Sequence, residues 1–220
     1  VPVLGITGGI ATGKSSFVRA LRAELPGPLF DADATAHALL AEDEAVRRSV
    51  AETFGPSVLD AAGRPDRLRL RSVVFGEPDA RRRLEAILHP VIRERWLAQA
   101  AEYRERGPHS PLCGAGGTAQ GLCGPHPAWL FVDIPLLYET EAQHEFDRVV
   151  VVACSPAVQR ARMREQRKLD SGLIESIIGA QFDLELKVAR ATHVVWNDST
   201  LACLERQARL LAALLRTFYV

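Results

Sequence analysis

Short apolar runs rich in β-branched residues alternate with stretches in which apolar residues recur every three or four positions, and this alternation sets the expected fold. Strands are expected near Val3 to Thr7, Leu29 to Asp31, Trp129 to Asp133, Arg148 to Val152 and His193 to Trp196. Phe17, Val18, Leu21 and Leu25 mark one helix face, and Leu201, Leu204, Ala208, Leu211 and Leu215 mark another, as in helices laid against a sheet. Strands alternating with such helices predict a three-layer α/β domain built on a five-stranded parallel sheet.

The alternation breaks between Val58 and Arg106, a stretch rich in Arg and Leu. Leu84, Ile87, Leu88, Val91 and Ile92 describe a helical face there with no strand between, so residues 58–106 read as an inserted helical lobe. Pro90 is expected to end or kink a helix at His89, because proline lacks an amide donor and restricts the residue before it. Residues 107–127 hold six glycines and four prolines and read as a surface loop. Its His109, Cys113, Cys123 and His126 match no common closed zinc spacing. The core is then residues 1–57 together with 128–220.

Composition narrows the function classes. A chain of 220 residues that is 47% hydrophobic can bury a sizeable core. Its 27 basic and 27 acidic residues balance, and aromatic residues make up only 6%, which argues against nucleic acid or a membrane surface as partner. No run approaches the roughly 18 apolar residues of a membrane span. Four cysteines form no framework, and the strand-like opening lacks a leader's basic and apolar regions, so a reducing cytoplasm is expected.

The most specific chemistry is Gly8-Gly9-Ile10-Ala11-Thr12-Gly13-Lys14-Ser15, a complete G-x-x-x-x-G-K-S between an expected strand and an expected helix. Glycines let consecutive amides converge on an anion, and the helix N-terminus adds partial positive charge. Gly9, Ala11, Thr12, Gly13, Lys14, Ser15 and Ser16 are therefore candidates to hold a nucleoside triphosphate, with Lys14 on the β and γ phosphates and the Ser15 hydroxyl on magnesium. A motor, a switch, a nucleotide kinase or a metabolite kinase would all carry this loop.

Ligands of parallel sheets collect beyond the carboxyl ends of the strands. Asp31-Ala32-Asp33 follows the second strand, and Asp33 is the candidate base toward an attacking hydroxyl; both aspartates are also suited to cap the helix expected near Ala34. Asp133 ends Trp129-Leu130-Phe131-Val132 and suits magnesium or substrate. From Pro156 the pattern is helical, with Arg160, Arg164 and Arg167 on one face, so residues 156–190 read as a lid whose arginines stabilise transferred charge or simply face solvent.

Together these segments resemble the dephospho-coenzyme A kinase family. Thr7-Gly8-Gly9-Ile10 leading into Gly13-Lys14-Ser15, then Asp31-Ala32-Asp33, Leu88-His89-Pro90 with Ile92-Arg93, and Asp133-Ile134-Pro135-Leu136-Leu137-Tyr138-Glu139 are similar to that family's segments. The resemblance implies transfer of the ATP γ-phosphate to the ribose 3′-hydroxyl of dephospho-coenzyme A. It implies Asp33 and Lys14 as catalytic residues, with Thr7, Asp33, His89, Arg93, Asp133 and Leu136 toward the acceptor and Asn197 toward ATP. Gln166 stands where relatives commonly carry a lid arginine, so Arg164 or Arg167 is expected in its place. Another small-molecule or nucleoside monophosphate kinase, or a nucleotide-responsive switch, are the alternatives, and the oligomeric state is left open.

Overall fold

The computed structural model describes residues 2–106, 129–179 and 181–217, so the Gly/Pro-rich segment and its His109, Cys113, Cys123 and His126 lie outside the described residues. The chain divides into two compact units, residues 31–99 and the remainder.

The larger unit is built on β1 (Val3–Gly8), β2 (Leu29–Asp31), β3 (Leu130–Asp133), β4 (Arg148–Ala153) and β5 (His193–Trp196), in the order β2-β3-β1-β4-β5. β3 and β4 flank β1 in parallel, and β5 runs parallel to β4. Every residue of β1 and β3 is buried, which is why these strands read as continuous apolar runs and not as alternating ones.

One face of the sheet is covered by α1 (Lys14–Glu24) and by α9 (Leu201–Thr217), the last of nine helices in the described residues. Phe17, Val18 and Leu21 of α1 and Leu204, Ala208, Leu211 and Leu215 of α9 share one core with Leu4, Ile6, Phe131, Val150 and Val152. On the other face, Phe146 and Leu137 approach β1 so closely that a Cβ on Gly5 would come within 2.8 and 2.9 Å of them. Only glycine fits that contact. The remaining helices of this unit are α6 (Pro156–Arg167), α7 (Ser171–Gly179) and α8 (Leu184–Arg190), and α8 packs on β4.

The smaller unit holds α2 (Ala32–Glu42), α3 (Glu44–Phe54), α4 (Arg67–Gly76) and most of α5 (Pro78–Arg106). Each of the first three has an aspartate at its N-cap: Asp31 accepts from Ala34 N, Asp43 from Val46 N, and Asp66 from Leu68 N and Arg69 N. Asp43 also pairs with Arg95 of α5 at 3.1 Å. This unit begins at Asp31 and therefore takes in α2 and α3, ahead of the break in alternation at Val58.

Of the end or kink expected at His89, the end does not occur. α5 runs unbroken for 29 residues through Pro90. The missing proline amide costs the helix one hydrogen bond to the carbonyl four residues back, while Leu88, Ile92 and Trp96 on either side of it are buried and hold the helix in place.

Candidate active site

At Gly8 the chain leaves β1 and turns back on itself, with Thr12 N and Thr12 Oγ1 both donating to Gly9 O at 3.4 and 2.9 Å. Two residues of this loop are left-handed, Ala11 at φ 59° and Gly13 at φ 91°. For alanine that geometry costs about 1 kcal/mol, the kind of strain that surrounding contacts must hold in place. Gly13 is required twice over, since an added Cβ would sit 2.1 Å from Asn197 Nδ2. α1 opens at Lys14 directly after it, so the amides of its first turn and the helix dipole face the mouth of the loop.

Distant side chains fix the loop from outside. Gln159 Nε2, on α6, donates to Ile10 O at 2.8 Å, and Ile10 N donates to Gln181 Oε1 at 3.0 Å. Thr12 O accepts from Asn197 Nδ2 at 2.8 Å and from Arg162 at 3.4 Å, and the other Arg162 terminal nitrogen donates to Asn197 O at 2.8 Å. Burial pushes the thiol of Cys154 up, with the Arg162 guanidinium beside it acting in the opposite direction.

The β1–β3 register sets Asp133 opposite Ile6, and there its carboxylate forms an ion pair with Lys14. Both side chains are largely shielded, at 15% and 9% exposure. Thr7 Oγ1, one residue before the loop, donates to Pro135 O at 3.0 Å, next to the half-buried Leu136. Ser15 is exposed and Ser16 half-buried at the start of α1. The larger unit thus brings together Thr7, the loop residues from Gly9 to Ser16, Asp133, Leu136 and Asn197.

Asp33, His89 and Arg93 belong to the smaller unit. Asp31 alone caps α2, while Asp33 sits exposed in the first turn with its carboxylate outside the cap. His89 and Arg93 stand one turn apart on α5 and therefore share a face.

The arginine stripe on α6 divides. Arg160 is held by both oxygens of Glu175 on α7, at 2.6 and 2.8 Å, and this contact draws the Glu175 carboxyl below its usual range. Arg164 and Arg167 are exposed in the last turn of α6 and make no hydrogen bond or ion pair among the described residues. Arg162, off the stripe, is the arginine that reaches the loop. The structure explains why: Gln159 and Met163 are the buried residues of α6, and Arg162 lies at the i+3 position from Gln159 on that inner face. Glu139 closes the Asp133 to Glu139 segment that resembles the family, whereas Lys187 gave no signal.

A family model described as dephospho-CoA kinase matches residues 2–110 and 122–202. The chain belongs to the dephospho-CoA kinase family. Among curated members it is 39% identical to the dephospho-CoA kinase of Anaeromyxobacter dehalogenans, over 96% of this chain and 92% of that one. It is 37% identical to that of Bdellovibrio bacteriovorus, over 89% and 87%. Among solved structures, a Thermus thermophilus protein superposes with a TM-score of 0.70 at 28% identity, covering 97% of each chain. The dephospho-CoA kinase from Campylobacter jejuni gives 0.60 at 21% identity over 98% of each. Shikimate kinase from Bacteroides thetaiotaomicron gives 0.51 at 18%, over 97% and 98%, and shares the fold. The α/β architecture with a five-stranded sheet read from the strand pattern is thus the P-loop kinase fold of this family. Among the described residues no helix is long and apolar enough to cross a membrane.

Proposed function

We propose that this protein transfers the γ-phosphoryl group of ATP to the ribose 3′-hydroxyl of dephospho-CoA, giving CoA and ADP, the final step of CoA biosynthesis. The observation that carries the reading is the family match, which spans the phosphate loop, the helical unit and the lid segment. The loop geometry supports it, because strained backbone held by buried side chains is the preorganised anion site that phosphoryl transfer needs.

In this reading the loop amides and Lys14 hold the β and γ phosphates. Lys14 already sits at the loop in an ion pair with Asp133, so an arriving phosphate competes with a carboxylate for the same ammonium group. Asp33 takes the proton of the 3′-hydroxyl as its oxygen bonds to the γ-phosphorus. The bond from that phosphorus to the bridging oxygen breaks, and ADP leaves. The phosphoryl transition state is loose, so orientation of the hydroxyl matters more than full deprotonation. Thr7, His89, Arg93 and Leu136 act on the acceptor, Asn197 backs the loop, and Arg164 and Arg167 close on the transferring group.

Magnesium fits the donors present: the exposed Ser15 hydroxyl and the Asp133 carboxylate are the hard oxygen ligands that it takes alongside phosphate oxygens. When bound it neutralises charge on the β and γ phosphates. In this reading the protein is a cytoplasmic enzyme acting on a small-molecule substrate, where ATP is at hand.

The test is acceptor choice. Purified protein with magnesium and ATP should convert dephospho-CoA to a product heavier by one phosphoryl group, and leave AMP unchanged. Turnover on AMP, or ATP hydrolysis with no acceptor, would overturn the substrate assignment; an Asp33→Asn variant with wild-type turnover would remove Asp33 from the chemistry.

A further inference from the structure

Lys187 has no exposed surface at all, which is rare for lysine. Its ammonium group pairs with Glu139 Oε1 at 2.8 Å and donates to Pro135 O at 3.3 Å. Glu139 Oε1 also accepts from Phe182 N at 2.9 Å, while its second oxygen is buried without a partner among the described residues. An ion pair this deep is poor evidence of stabilisation, because removing two charges from water offsets most of their attraction. Its location points instead to alignment.

Each bond of the pair ends beside a contact of the phosphate loop. Phe182 follows Gln181, whose side chain accepts from Ile10 N. Pro135 lies two residues beyond Asp133, the partner of Lys14, and its carbonyl is shared with Thr7 Oγ1, directly ahead of Gly8. One ammonium group thus joins the α7–α8 connection, the segment after β3 and the end of β1. Gln181 and Gln159 then grip the two polar groups of Ile10 from opposite ends of the lid segment.

We propose that Lys187 and Glu139 are positioning residues: their buried ion pair sets Gln181 and Pro135, and through them the shape of the nucleotide loop. This rests on the nucleotide-binding role proposed above. The pair touches neither the loop nor any reacting atom, so its effect passes through Phe182–Gln181 and through Pro135.

The deciding variant is Lys187→Met combined with Glu139→Leu. Exchanging a buried pair for apolar residues of similar volume often leaves stability unchanged, yet it removes the acceptor that holds Phe182 N. The double variant should melt close to wild type while its affinity for a non-hydrolysable ATP analogue falls between about tenfold and hundredfold, the scale of an ångström-sized misplacement. Gln181→Met, with the ion pair intact, should lower the affinity in the same way. Glu139→Gln keeps an oxygen for Phe182 N and should retain most of it.

A double variant with wild-type melting and wild-type affinity would overturn the proposal. So would an unaffected Gln181→Met, which decides the matter even if the double variant fails to fold. Affinity is read without the acceptor, so a wild-type protein that binds nucleotide but does not phosphorylate dephospho-CoA would count against the proposed function alone.

Discussion

The phosphate loop and the outer face of α6 belong to the same unit, but they are built in opposite ways. In the loop, Gly9 O, Ile10 N, Ile10 O and Thr12 O are all bonded within the protein, by Thr12, Gln181, Gln159, Asn197 and Arg162. On α6, Arg164 and Arg167 project from the last turn without a protein partner among the described residues. The loop therefore has its shape before a nucleotide arrives and spends little reorganisation on binding it. The two arginines keep their rotamer freedom, and an anion must order them. Damage within the loop or to Arg162 should appear in stability and nucleotide affinity together, whereas loss of Arg164 or Arg167 should appear in turnover alone.

The largest effect is expected from Lys14→Ala. Losing a charged donor to the transferring phosphate should lower kcat by about 10²- to 10³-fold, the scale seen when a preorganised donor is removed. The same change strips the shielded Asp133 carboxylate of its ammonium partner, so the melting temperature should fall as well. A Lys14→Ala protein that loses turnover with unchanged stability would separate the two roles and weaken the account of a ligand-free ion pair.

Next is Gly13→Ala. Its Cβ would meet Asn197 Nδ2 at 2.1 Å in a left-handed backbone, so either the loop or the asparagine must move. A loss of about 2 kcal/mol in unfolding free energy is expected, with nucleotide affinity reduced in parallel. Denaturant unfolding and calorimetric titration check both. A stable variant that binds ATP normally would show the loop to be far less constrained than its contacts imply.

The arginines supply the other side of the comparison. Arg167→Ala and Arg164→Ala should leave the melting temperature unchanged and lower kcat by about tenfold, since an exposed side chain carries little stability and the proposed lid role engages these charges only during transfer. Arg162→Ala should do the reverse, lowering stability and nucleotide affinity before kcat, because it removes donors to Thr12 O and Asn197 O. Single-turnover kinetics with thermal melts on the three variants would collapse the distinction if all three behaved alike.

What the sequence made legible follows the same division. β1, β3 and β4 were readable because buried parallel strands are written as contiguous apolar runs, β2 and β5 as short apolar runs although only partly buried, and Gly8 to Ser15 because a phosphate loop is one continuous segment between strand and helix. Of the partners that shape the loop, Asn197 was reached only through the family resemblance, and Gln159 and Arg162 were not read at all. Gln159, Arg162 and Asn197 lie 149, 150 and 185 positions from the loop residues that they bond. Nothing in a local pattern separates a glutamine that grips a distant carbonyl from one that faces water. The stripe of Arg160, Arg164 and Arg167 showed helical spacing, but spacing does not say which face is inside, and Arg160 is taken up by Glu175. The start of the helical unit at Asp31 was hidden for a similar reason, since α2 and α3 pack against each other while following β2 as a sheet-covering helix would.

The smallest effect tests a buried hydroxyl in the segment after β3. Tyr138 is 3% exposed, and its hydroxyl has no partner among the described residues. Burial raises its pKa above the ordinary 10.0, with the Arg190 charge pulling the other way. Tyr138→Phe removes a desolvated hydroxyl that gains nothing in return, so stability at neutral pH should be unchanged or higher by about 1 kcal/mol, and turnover should be unaffected. The pH dependence sharpens this. The unfolded chain releases the phenol proton near pH 10 while the folded protein still holds it, so above that pH the unfolded state binds fewer protons and stability falls with rising pH. Wild type should therefore lose stability relative to Tyr138→Phe as pH climbs from 10 through the raised folded value, and the two should run parallel below it. Equal alkaline slopes for the two proteins in denaturant titrations would mean that the hydroxyl is solvated after all.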